Sequence, residues 1–276
     1  MHPSEAPELP ELRSAALDFL AETDPHLKCA GVAQLARDRA AGALSVASNA
    51  QLMPRDALPG RPTQPELVAP RLVERRSMVT VEGRAAMIHA LAHIEFNAIN
   101  LALDAIWRFA GMPDEYYADW LSVAGEEALH FSLLCDHLQT LGFAYGDFKA
   151  HDSLWDMAEK TRSDVLARMA LVPRTLEARG LDASPSMRAK LAQAGDLEAA
   201  AILDIILRDE IGHVAIGNRW YGWLCVQRGL EPLATYAALA ADYRAPKLRG
   251  PFNLPARRAA GFTEDEIAAL DHRDGA

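Results

Sequence analysis

The chain has 276 residues, 50% of them hydrophobic and 24% charged, the composition of an ordinary soluble protein with one substantial core. Its net charge of -10 excludes a global basic footprint for nucleic acid. Three widely separated cysteines, Cys29, Cys135 and Cys225, exclude a disulfide frame or a thiolate zinc site.

In chain order, MHPSEAPELPELR lacks the basic start and apolar centre of a secretory signal, so a cytoplasmic location is expected. No run of about eighteen apolar residues is present, so no membrane partner is expected. Residues 1–50 read as helical, with Pro10 and Pro25 marking helix starts. Residues 51–72 carry five prolines and predict an extended surface connector. A long helix is predicted from Gly83 to Gly111, and a second from Pro113 and Asp114 to Leu141. A third runs from Trp155 to Arg179 with Pro173 inside it and Gly180 as its stop. A loop containing Pro185 and a short helix then lead to Asp196, where a fourth long helix runs to Gly229. Beyond residue 232 the segment LRGPFNLPARR reads as a basic ordered loop anchored by Phe252 and Leu254. Thr263-x-x-Glu266 then opens a terminal helix as a capping box.

Strand-like alternation is absent, so the predicted fold is all-α: a four-helix bundle with additional N- and C-terminal helices. The implied organisation is a helical extension and proline-rich connector over 1–72, a bundle over 73–230, and a C-terminal basic loop and helix over 231–276.

Glu127-Ala-Leu-His130 and Glu210-Ile-Gly-His213 are both Glu-x-x-His, which places carboxylate and imidazole on one helix face. Alone the pattern is weak. Its setting makes it strong, because each pair interrupts an apolar stripe: Val123, Ala124, Phe131 and Leu134 around the first, Leu203, Ile206, Val214 and Gly217 around the second. Glu95 interrupts a third stripe and Glu177 a fourth, and a buried charge is costly unless paired or bound to a cation. The interval from Glu95 to Glu127 is 32 residues, and from Glu177 to Glu210 it is 33. Two helix pairs thus each offer a lone glutamate and then a Glu-x-x-His, the arrangement of a di-metal carboxylate bundle. Glu95, Glu127, His130, Glu177, Glu210 and His213 are the candidate ligands. Oxygen-rich donors with one imidazole per ion point to two iron ions, with manganese as the alternative.

The runs HALAHIEFNAINLALD, EEALHF, RMALVPRTLEARGLD, ILRDEIGHVAIGNRW and LRGPFNLPARRAAGF resemble the ferritin-like family catalogued as domain of unknown function 455. The resemblance implies a ferritin-like bundle with a di-metal centre and names no reaction. A more distant similarity is to di-iron hydroxylases that modify tRNA, which keeps tRNA as an alternative partner.

The function expected is an O2- or peroxide-dependent oxidoreductase or oxygenase on a small organic substrate, served by an external electron donor, because no flavin or dinucleotide fingerprint is present. A metal- or peroxide-handling protein like ferritin or rubrerythrin is the alternative, and a structural metal site in an interaction protein a further one. A homodimer is among the expected assemblies. His89 and His93 lie off the ligand seam, and Trp107, Trp120, Trp155, Trp220 and Tyr221 read as core aromatics. Arg244, Lys247, Arg249, Arg257 and Arg258 read as a solvated or internally paired basic tail, with an anion or RNA contact as the sharper reading. Pro173 predicts a kink that either places Glu177 or simply bends its helix.

Overall fold

The protein is described by a computed structural model covering residues 9–54, 56–74 and 76–271. Its fold is an all-α helical bundle; among the described residues only two isolated bridges, Glu11–Ser45 and Leu67–Ala150, have β character. Two units are distinguished: 1–63 with 98–129, and 64–97 with 130–276.

The first unit contains α1 (Leu12–Ala21) and α2 (Pro25–Ala40), which pack on each other. Glu11 caps α1 through Arg13 N and Ser14 N, and Asp24 caps α2 ahead of Pro25, whose missing N–H costs nothing at a helix start. Two buried cations hold this unit. Lys28 donates to Leu20 O at 3.3 Å, Gly60 O at 3.1 Å and the Asn100 amide oxygen, while burial pushes its amine down to about 7. Arg13 donates to five carbonyls, those of Ala47, Ser48, Ala50, Ile106 and Trp107.

Two long helices follow, α3 (Val81–Arg108) and α4 (Asp114–Thr140). By length and hydropathy α3 could cross a membrane, but 78% of its apolar window is buried in the protein. The stripes read from the sequence are the buried faces: Ile88, Ala92, Ile99, Ala102 and Ile106 on α3, and Trp120, Val123, Phe131, Leu134 and Leu138 on α4.

In the second unit the predicted third helix is not one helix. The chain forms α5 (Ser153–Lys160), breaks at 161–164, restarts as α6 (Val165–Leu171) under an Asp164 cap, passes through a π-helical turn (Val172–Glu177) and continues as α7 (Ala178–Gln193). Gly180 therefore does not stop the helix, and Pro185 lies inside α7 instead of in a loop. Proline there removes the donor to the carbonyl four residues back, that of Leu181. Asn253 supplies the replacement, its side-chain amide donating to Leu181 O at 3.1 Å. A tertiary contact thus makes this proline tolerable.

A three-residue turn leads to α8 (Leu197–Arg228), capped by Asp196 and ended by Gly229 in the left-handed conformation that favours glycine. Then come α9 (Pro232–Asp242), α10 (Leu254–Ala259) and α11 (Glu264–Asp271). The segment LRGPFNLPARR is only half irregular, because LPARRA forms α10 under an Asn253 cap with proline in its first turn. Its deepest anchor is Arg257, which makes a bidentate pair with Asp182 at 3.0 and 2.6 Å; Phe252 and Leu254 are only partly buried. Arg258 pairs with Glu264, whereas Arg244, Lys247 and Arg249 are exposed. The expected capping box is present, with Thr263 N donating to Glu266 at 2.9 Å.

Candidate metal centre

Each Glu-x-x-His begins as a helix-face problem. Glu127 and His130 are one turn apart on α4 and both are 0% exposed; Glu210 and His213 are one turn apart on α8 and buried. Glu95, in the middle of α3, is 3% exposed. The four-residue and three-residue steps that bury Phe131, Leu134 and Val214 necessarily carry these polar groups inward too.

These buried groups converge. Glu95, Glu127 and His130 offer one ligand atom each, all within 4.8 Å of one another, and Glu127, Glu210 and His213 do the same. Glu127 belongs to both triplets. The rings of His130 and His213 stand 5.9 Å apart. Buried carboxylates are costly unless protonated, paired or bound to a cation, and the chemistry of this donor set, carboxylate oxygens with imidazoles, fits iron or manganese.

His130 carries a finer indication. Its Nε2 is 3.1 Å from Asp209 Oδ2 and its Nδ1 is 3.3 Å from Glu95 Oε2. A carboxylate only accepts, so a neutral His130 donates through one ring nitrogen and turns the lone pair of the other towards a carboxylate; with the proton on Nε2 facing Asp209, the Nδ1 lone pair faces Glu95. Two lone pairs facing each other at that distance repel. A cation off Nδ1 resolves the conflict, as a second proton on the imidazole otherwise would.

Asp209 is a group that the sequence alone does not single out, since Asp204 and Asp209 share α8 and periodicity does not settle which faces inward. Asp204 is spent on exposed Arg188. Asp209 accepts from Arg208 Nε and Nη2 at 2.7 and 3.0 Å and from His130; the Arg208 hydrogen bond, with the smaller contribution of His130, holds its carboxyl below the usual range.

Glu177 lies in neither triplet. It is buried at the C-terminal end of the π-helical turn, at 9% exposure. The second cluster closes on Glu127, with Glu177 outside it. Arg174, three residues before Glu177, pairs with Glu266.

The profile of the family described as "Protein of unknown function (DUF455)" matches residues 21–268. The chain belongs to the DUF455 family. A relative described as an uncharacterized protein of Haemophilus influenzae (strain ATCC 51907 / DSM 11121 / KW20 / Rd) is 53% identical over 224 residues, covering 79% of this chain and 78% of the relative. No solved structure matches. The family assignment covers all six candidate ligands and Asp209 of this DUF455 chain.

The histidines expected to lie off the seam are engaged elsewhere. His89 Nε2 accepts from Gly146 N at 2.9 Å, and burial holds this imidazole down at about 4, so it stays neutral. His93 Nδ1 is 2.8 Å from the Tyr145 hydroxyl and its Nε2 is 3.2 Å from His151 O. Neither joins a triplet. The five aromatics assigned to the core are all buried.

The role of Asp209 is directly testable. Asp209→Asn keeps the shape but weakens the grip on the Nε2 proton, so His130 should ligate less well. The expected result is about 10- to 100-fold weaker metal binding in chelator competition. Unchanged affinity would mean that Asp209 does not orient the ligand.

Proposed function

We propose that the chain is a ferritin-like di-metal carboxylate protein that holds two iron ions, with manganese as the alternative, and acts as an O2- or peroxide-dependent oxidoreductase on a small organic substrate. The observation that supports this most is the pair of buried triplets sharing Glu127. In this reading Glu95, Glu127 and His130 would hold one ion, Glu127, Glu210 and His213 would hold the other, and Glu177 would add a fourth carboxylate.

When bound, a pair of redox-active ions supplies electron transfer to O2 or peroxide. The residues do the rest. Asp209 parks the Nε2 proton of His130 and leaves Nδ1 as a ligand. The apolar neighbours Val123, Phe131, Ile206 and Val214 exclude water, so the charges on the carboxylates stay unscreened. Carboxylates also stabilise the higher oxidation state, and an external donor must return the electrons. Among the described residues the three cysteines are buried and lie outside both triplets, so no thiolate competes as a ligand. We place the protein in the cytoplasm with a small-molecule substrate and no membrane partner, and keep tRNA as the alternative partner.

Stopped-flow absorbance after mixing the reduced, iron-loaded protein with O2 tests the reading. The enzyme is expected to react faster than free ferrous iron oxidises and to stop at two ions per chain. Accumulation of many irons per chain would make it a storage protein. No reaction in protein holding two ferrous ions would make the site structural.

A further inference from the structure

The π-helical turn Val172–Glu177 is pinned from two sides. On one side Pro173 lies against α8 at Gly217, where an added Cβ would come within 2.5 Å of the proline ring. On the other side stands Arg174, 5% exposed. Its guanidinium lies 4.8 Å from the Tyr221 ring, 5.3 Å from Tyr236 and 5.0 Å from Phe262. Its Nη1 donates to Asn218 at 3.1 Å, and its Nη2 to Glu266. Glu266 uses its other oxygen to accept from Thr263 N at the start of α11. Thr175 donates to Ala170 O at 2.7 Å and meets the Tyr236 hydroxyl at 3.0 Å. The C-terminal helices α9 and α11 therefore grip the π turn through one buried cation.

The hairpin register says what the turn carries. α7 and α8 are consecutive helices joined by three residues, hence antiparallel neighbours. Arg188 paired with Asp204 and Pro173 against Gly217 are two rungs of that register. Four residues on from Pro173 is Glu177, and four back from Gly217 is His213. Glu177 is thus level with His213 across the hairpin. A π turn inserts one residue into an α-helix, so its loss would rotate one side of the helix against the other by about 100° and turn Glu177 away.

We propose that Arg174 is a positioning residue for the metal centre: gripped by the C-terminal helices, it maintains the π turn that presents Glu177 to the ion held by Glu210 and His213. The proposal rests on the metal reading given above. It makes the C-terminal segment part of the metal site although none of its residues is a ligand.

The test loads the full-length protein with ferrous iron and reads ions per chain by elemental analysis, with far-UV circular dichroism as the fold control. Glu177→Gln should weaken the second ion by about tenfold or more. Arg174→Met should do the same with helicity intact, and the double variant should be no worse than either single one, because Arg174 acts through Glu177. Additive loss in the double variant, or wild-type affinity in Arg174→Met, overturns the proposal. Should Arg174→Met fail to fold, Glu266→Gln breaks the ion pair, keeps the capping box, and must show the same selective weakening. A wild-type chain that takes up no iron overturns the metal reading itself and this proposal with it; two ions held tightly in both variants overturns only the proposal.

Discussion

Arg13→Met should destabilise the protein by about 4 kcal/mol, among the largest effects expected of any single substitution outside the metal centre. Methionine keeps the apolar stem but removes every donor. Ile106 and Trp107 sit in the last turn of α3, where helix carbonyls lack intrahelical partners, and Arg13 reaches them at 3.3 and 2.6 Å. It also holds the turn at Ala47, Ser48 and Ala50 at 2.8, 3.0 and 2.8 Å. A buried carbonyl left without its donor costs about 1–3 kcal/mol, which applies in full to Ile106 and Trp107; Ser48 O keeps Gly111 N and Ala47 O keeps Ala50 N, so the loop contacts add less, and the costs do not simply add. Chemical denaturation followed by circular dichroism measures the loss. A change under about 1 kcal/mol would show that water replaces the guanidinium at little cost.

Glu127→Ala should abolish binding of both ions, whereas Glu95→Ala and Glu210→Ala should each weaken one. The asymmetry comes from membership: only Glu127 stands in both triplets. The chain should stay folded, because the apolar stripes on α3, α4 and α8 supply the core and the ions need not. Elemental analysis after dialysis, with thermal melts of metal-free Glu127→Ala and the metal-free parent, reads the two effects. One ion retained at parental affinity would remove Glu127 from its double role.

The candidate ligand positions stand out in the sequence because a charge in the middle of an apolar stripe is a local anomaly. Glu95, Glu127, His130, Glu210 and His213 all interrupt faces that the structure buries. The place of Glu177 is less legible, because a π turn breaks the 3.6-residue phase on which stripes are read. Pro173 does mark the irregularity. Pro185 misleads for a related reason: the carbonyl it leaves without a donor is satisfied by Asn253, about seventy residues on, and no local rule contains that contact. The proline of LPARRA suggests an irregular loop, yet proline after an Asn253 cap is a helix-start signal. Asp209 is out of reach because one carboxylate of two on α8 is chosen by where α4 lies, and that is tertiary information.

The central claim is that these buried carboxylates and imidazoles exist to hold two transition-metal ions. Elemental analysis of the full chain, purified after expression with added iron and checked for helicity, tests it most directly. The expected result is about two iron or manganese ions per chain. A fully helical, metal-free protein that takes up neither ion on reconstitution would contradict it.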